Sequence, residues 1–352
     1  MLDRLPPELV DHVLDLLPQP PAAERADTLR ACCLVSKRLR DIALPTLWRH
    51  VELNGDEQER AFVERVEDAT TEHLLGEITS MTLFGHSGIV EPLLERFPAL
   101  GKLTWDVSVG GLDLSSWGGW ACYLMTLSLS DAYLSTLTPF TFPSLTSLSL
   151  SRVQLPLSLM PTIWSSTTFP SLRALSYSPP FAVTPVLPLF LSYISPPFSD
   201  QLDLVQIPYE DGEHFAAGYG LALPSAVPTL ITLSSSFLET DPDAQEASVT
   251  TLADSEARHL RLVLDEDESV EQTTNLLQAS EQVFRRSSSC QSFVLPTSVR
   301  RVGVSPSLSC FLEACATRSV DVIWANGELE DEHEVSPAFW RYVREIKAKQ
   351  VA

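Results

Sequence analysis

The sequence predicts an α/β solenoid: a helical N-terminal module, then a run of short repeats, then a C-terminal helix. Ile78-x-x-Met81-x-Leu83 recurs as Leu100-x-x-Leu103-x-Trp105, Leu124-x-x-Leu127-x-Leu129, Leu145-x-x-Leu148-x-Leu150 and Leu172-x-x-Leu175-x-Tyr177, at steps of 22, 24, 21 and 27 residues. Three units share an introduction, Phe97-Pro98-Ala99-Leu100, Phe142-Pro143-Ser144-Leu145 and Phe169-Pro170-Ser171-Leu172. A period in this range marks a unit that cannot bury its own apolar side and must stack on its neighbours. The 26 prolines against 14 glycines indicate many short elements being turned.

Residues 1–53 precede the repeats. Glu8, Asp11, His12 and Asp15 fall at i, i+3, i+4 and i+7 of a helix opened by Pro6 and Pro7, where a missing N–H costs nothing. Leu9, Val10, Val13, Leu14, Leu16 and Leu17 cover the rest of its circumference, more than one core-facing stripe requires. A second helix is predicted from Thr28 to Val35 and a third from Ser36 to about Ala43, with Ser36 as N-cap. Leu29, Cys32, Cys33, Leu34, Val35, Leu39, Ile42, Leu44 and Leu47 add further apolar surface. So small a module cannot hide all of it internally. The surplus must meet another surface, on this chain or on a partner.

Leu5-Pro6-Pro7-Glu8-Leu9, Val13-Leu14, Leu17-Pro18, Leu34-Val35-Ser36-Lys37-Arg38 and Leu47-Trp48-Arg49, in that order, resemble the F-box, the adaptor-binding module of cullin-based ubiquitin ligases. Two departures stand out: the link from Gln19 to Asp27 is longer than usual, and Leu39 occupies a place where tryptophan is common. The resemblance implies that Leu5, Pro6, Leu9, Val13, Leu14, Leu17, Val35 and Trp48 hold a SKP-family adaptor and, through it, a cullin. The family's adaptor is acidic, so the local basic cluster of Arg30, Lys37, Arg38, Arg40 and Arg49 fits a steered encounter.

Residues 54–77 read as a charged linker helix with Phe62, Val63, Val66 and Ala69 on one side, and 78–325 as the solenoid. The repeat pattern resembles the leucine-rich repeat, whose short strand is followed by a returning helix or loop. The asparagine or cysteine that follows the strand in that family is replaced by His86, Ala132 and Val153, which implies an irregular horseshoe. Leu103, Leu127, Leu148 and Leu175 are expected to form an inward ladder. The intervening Ser80, Thr82, Lys102, Thr104, Thr126, Ser128, Ser147, Ser149, Ala174 and Ser176 then point to the concave face, by the period of two in a strand. Fainter units are read near 202–207, 230–233, 259–264, 299–304 and 320–324. Ser269-x-x-Gln272 forms a capping box for a helix reaching Phe284. The last segment, 326–352, reads as an acidic loop and a helix opened by Ser336-Pro337, with Phe339, Trp340, Val343 and Ile346 on one face.

Composition bounds the function. A net charge of −22 over 352 residues repels phosphate backbones and anionic lipid, which argues against nucleic-acid and membrane partners. The six cysteines lack the spacing of a disulfide framework or a zinc site, and the N-terminus lacks a signal peptide's apolar core; a cytoplasmic or nuclear location is expected. The charge-free run 174–199 is broken by six prolines and does not read as a membrane span. Gly85-His86-Ser87-Gly88 lacks the spacing of a nucleophile turn, and Gly218-Tyr219-Gly220 lacks a dinucleotide loop's third glycine. No cofactor and no catalytic residue are read. The expected role is a non-catalytic substrate-recognition subunit, with the acidic run Asp265-Glu266-Asp267-Glu268 as candidate contacts for a target carrying a basic segment. The rivals are a repeat scaffold outside any ligase, and an enzyme hidden in 180–330.

Overall fold

A computed structural model describes residues 22–325, apart from 86–87, 118, 137–140, 157, 159–162, 179–189, 191, 195, 209–226, 228, 235–236, 239–241, 255–256, 265–268, 288 and 301–304. The expected first helix, the acidic run 265–268 and the C-terminal segment 326–352 lie outside these residues. The chain forms two compact units, 1–145 and 146–352.

The first unit opens with α1 (Ala22–Val35) and α2 (Lys37–Arg49). Ser36 caps α2 by accepting the Leu39 N–H at 3.2 Å. The third helix runs past the expected Ala43 to Arg49, through Pro45. The carbonyl that Pro45 leaves without an intrahelical donor belongs to Asp41, which is exposed to solvent. Four strands follow: β1 (His50–Asn54), β2 (Ser80–Phe84), β3 (Lys102–Asp113) and β4 (Thr126–Thr136). Each pairs in parallel with the next, in chain order. Parallel neighbours require a crossover, and here α3 (Asp56–Glu67) and short 3-10 turns supply it. Leu103 lies in register with Leu127 and Trp105 with Leu129, all four buried.

In the second unit β5 (Ser147–Ser151), β6 (Ala174–Ser178), β7 (Leu204–Pro208), β8 (Thr229–Leu233), β9 (His259–Leu262), β10 (Ser292–Pro296) and β11 (Asp321–Ala325) are again parallel and sequential. Leu148 is in register with buried Leu175. Helices α4 (Pro242–Asp254), α5 (Val270–Arg286) and α6 (Ser305–Thr317) return the later strands. The Ser269–Gln272 capping box forms in both directions at the start of α5. Arg286 on α5 donates to both carboxylate oxygens of Glu246 on α4, at 2.5 and 2.9 Å.

The shared phrase has a structural reason. Leu100, Leu145 and Leu172 donate their N–H to the carbonyls of Phe97, Phe142 and Phe169 at 3.1, 3.4 and 3.3 Å, so each Phe-Pro-x-Leu is a turn with proline at its second position. Both ends of each turn are buried.

The strands end on a second shared device. Gly55 (φ 82°), Gly85 (109°), Ser108 (51°), Asp131 (51°) and Arg152 (51°) all adopt positive φ where the regular part of a strand stops. In β1 and β2 that residue's N–H reaches the neighbouring strand: Gly55 donates to Phe84 O at 3.3 Å and Gly85 to Asp106 O at 2.8 Å. Buried Ala132 and Val153 follow Asp131 and Arg152, so a backbone twist stands where the leucine-rich-repeat pattern has a polar side chain. Gly85→Val is therefore expected to cost about 1–3 kcal/mol, through backbone strain alone, because nothing lies within 4 Å of its added Cβ. Arg152→Gly should be neutral or stabilising by up to about 1 kcal/mol. Urea midpoints of the two variants check the opposite signs.

Two strands depart from the sequence reading. Of the unit expected near 299–304, residues 301–304 lie outside the described residues and Thr297–Arg300 is a 3-10 turn; a strand lies earlier, at Ser292–Pro296. Pro296 closes that strand rather than interrupting it. β1 was not anticipated either, because His50-Val-Glu-Leu-Asn54 lacks the repeat's leading leucine.

Candidate functional site

The described part of the N-terminal module is a helix pair. Leu29, Leu39 and Ala43 form its buried centre, with Cys32, Cys33, Ile42 and Leu47 packed around them. Leu29, Cys32 and Cys33 stand at i, i+3 and i+4 of α1, which sets the stripe facing α2. Leu34 and Val35 lie off that stripe, in the last turn before Ser36 redirects the chain. They are the two most exposed large apolar residues described, at 89% and 71%. Burial raises the pKa of the neighbouring Cys33 thiol, with Cys32 adding to the effect and Arg40 opposing it, which makes Cys33 a poor nucleophile.

Of the residues assigned by resemblance, Val35 and Trp48 are described. Val35 is open to solvent. Trp48 is 8% exposed, and its ring packs 5.9 Å from Phe62 on α3, which in turn lies 6.0 Å from Phe97. The end of α2 is thus fastened into the repeat core through this aromatic chain. Leu5, Pro6, Leu9, Val13, Leu14 and Leu17, and the acidic Asp265, Glu266, Asp267 and Glu268, lie outside the described residues. Leu34, beside Val35 in the same Leu-Val-Ser-Lys-Arg motif, is likewise open to solvent.

The second candidate surface is the face of β1–β4 opposite the leucine ladder. Register places three rows on it: His50, Ser80, Lys102 and Thr126; Glu52, Thr82, Thr104 and Ser128; and Asn54, Phe84, Asp106 and Ser130. All twelve residues are exposed or half-buried. The corresponding rows of the second unit are different. Gln206, His259, Arg261 and Ser292 are buried, as are their apolar neighbours Leu230 and Val294. His259–Leu262 and Ser292–Pro296 are buried at every position, as in a sheet covered on both faces. The concave face expected along the repeats is therefore open in the first unit and closed across β7–β10. Two polar contacts lie within these rows: Gln206 Nε2 donates to Thr232 Oγ1 at 3.1 Å, and His259 Nδ1 lies 2.8 Å from Ser292 Oγ.

Cys310 is exposed and Cys315 buried on α6, and burial pushes the Cys315 thiol to about 12. No described helix is long and apolar enough to cross a membrane.

A comparison with protein families places these helices. Residues 2–54 match the F-box-like family. No curated protein matches the chain. The matched segment ends at Asn54, so it includes β1, the first strand of the repeat sheet.

Proposed function

We propose that this chain is the substrate-recognition subunit of an SCF-type cullin ubiquitin ligase. Its F-box-like segment binds a SKP-family adaptor, and its leucine-rich-repeat-like strands bind a target protein. The reading is carried by the F-box-like match at residues 2–54 together with the exposed Leu34-Val35 pair inside that segment. Two adjacent large apolar side chains left in water suit a surface that a partner covers. The chain performs no chemistry in this scheme. It raises the effective concentration of a target lysine near the conjugating enzyme.

Within this proposal Leu5, Pro6, Leu9, Val13, Leu14, Leu17 and Val35 contact the adaptor, and Trp48 holds α2 on the repeat core so that the contact surface and the target are rigidly related. The acidic Asp265-Glu266-Asp267-Glu268 run supplies a long-range field for a target with a basic segment. A second reading is a repeat scaffold whose N-terminal helices merely cap the sheet. It is favoured by one observation, the parallel pairing of β1, inside the matched segment, with β2.

Adaptor capture separates the two. Co-expression of the full chain with a SKP-family adaptor should give a stable complex, and Leu34→Asp with Val35→Asp should weaken it at least about 100-fold, because two carboxylates would be buried unpaired. Both positions are exposed, so the far-UV circular dichroism of the variant should match that of the parent. Leu9→Asp with Val13→Asp should behave in the same way. Failure of the parent chain to hold the adaptor would leave the scaffold reading.

A further inference from the structure

The open face of β1–β4 holds a group of residues that the ladder and the helix pair do not use. Phe84, at the end of β2, leaves 36% of its surface in water. Its register partner on β3 is Asp106, one strand spacing of about 4.8 Å away. Glu52, exposed on β1, is the diagonal neighbour on the other side, within about 8 Å. Side chains in register on parallel strands point to one face, so Phe84 shares that face with a carboxylate on the strand to either side.

Asp106 Oδ1 accepts the Ser108 N–H at 3.0 Å, which ties the carboxylate to the turn at the strand's end. Among the described residues neither Glu52 nor Asp106 meets a cationic side chain. Lys102, on the same face of β3, stands four residues from Asp106, about 13 Å along the strand. A half-exposed aromatic face flanked by two such carboxylates on a rigid sheet is arranged to receive a cation. The ring's quadrupole attracts it, and each carboxylate offers a charge-assisted hydrogen bond.

We propose that Phe84, Asp106 and Glu52 form a recognition site for an arginine side chain in an extended segment of the target. A guanidinium fits better than an ammonium: it lies flat on the ring while its edge donates to a carboxylate on either side, and it is more weakly hydrated. The neighbouring Thr82, Thr104 and Ser128 offer short hydroxyls to the backbone of the segment with little side-chain entropy to lose. The chain's charge of −22 favours approach of a basic partner. This inference rests on the receptor reading for its biological partner, but its chemistry is independent of the adaptor.

The test uses the full chain and the peptide acetyl-Gly-Ser-Arg-Ser-Gly-amide, with the citrulline peptide as an uncharged counterpart of the same shape and the lysine peptide as a second cation. Saturation-transfer NMR titrations report each dissociation constant. The arginine peptide is expected to bind at least about fivefold more tightly than either counterpart. Phe84→Leu, which keeps an apolar side chain without the ring's face, and Glu52→Gln, on an exposed edge strand, should each remove most of that preference while the urea midpoint stays unchanged. Equal binding of the arginine and citrulline peptides, or an undiminished preference in Phe84→Leu, overturns the site. An equal affinity for lysine overturns the guanidinium assignment. Adaptor capture by the same preparation is read separately: its loss would remove the receptor reading and leave the peptide result standing, and the reverse also holds.

Discussion

Trp117→Ala is expected to destabilise the first unit by about 3–5 kcal/mol, the usual range for truncating a large buried aromatic side chain. Trp117 is fully buried. Its ring stacks on Trp105 at 6.1 Å with an interplanar angle of 8°, and meets Trp120 at 5.0 Å. Its Nε1 donates to Glu91 Oε1 at 3.2 Å. Trp105 is tied in turn to the strand end through the Gly85 carbonyl, at 3.0 Å. Truncation opens a cavity bounded by two rigid rings that have little freedom to close it. Trp117→Phe keeps much of the volume and loses the hydrogen bond, so it should cost about 1–3 kcal/mol. Amide exchange within 102–136, with a urea titration beside it, reports the unit concerned. A cost below about 1 kcal/mol for the alanine variant would mean that the cluster fills space without holding the repeats together.

This cluster also shows what was legible beforehand and what was not. The Leu-x-x-Leu-x-Leu spacing revealed five of the strands because each leading leucine repeats, and a repeat is visible without knowledge of partners. Met81, Leu103, Leu127, Leu148 and Leu175 are all buried, and the pairings within each unit are parallel. Trp117 carries no such signal, since it belongs to a return segment whose length varies from unit to unit. β1 and β10 escaped for a related reason: their sequences, HVELN and SFVLP, have the alternation of a strand but not the flanking phrase. The positive-φ strand ends were hidden more deeply. Two of the five are glycines, but Ser108, Asp131 and Arg152 share no chemistry, so the common feature is a backbone angle rather than a residue type.

The candidate sites divide in the same way. Val35 was found through a motif that resembles a known module, and its exposure follows from α1's own stripe. Phe84, Asp106 and Glu52 were unreadable as a group because they come from three strands, and only the register brings them to one row and its diagonal. The buried polar row of the second unit was equally hidden. His259 sits in a histidine-leucine-arginine-leucine segment that alternates like a half-exposed strand, and all four of its side chains are buried.

That burial makes stability depend on pH. His259 is 1% exposed, and its pKa is pushed down to about 4, first by burial and then by the Arg258 charge. Among the described residues, buried Arg261 on the same strand and Asp321 on β11, in register with Ser292, are further charged groups along this part of the sheet. In the unfolded chain a histidine titrates near about 6.5. The folded state therefore holds the neutral imidazole, which is fixed by the 2.8 Å contact of Nδ1 with Ser292 Oγ, while the unfolded state takes up a proton more readily. The resulting stability is fully present above about pH 6.5 and falls as the pH drops. By about pH 4 it has diminished by on the order of 3 kcal/mol. His259→Asn keeps a hydrogen-bonding group toward Ser292 and removes the titration. Urea midpoints measured from pH 7.5 to 4.5 should fall more steeply for the parent chain than for the variant, since the acidic groups contribute equally to both. Coincident slopes would show that His259 meets enough water to be protonated in the folded state, and that the second face of β9 and β10 opens without global unfolding.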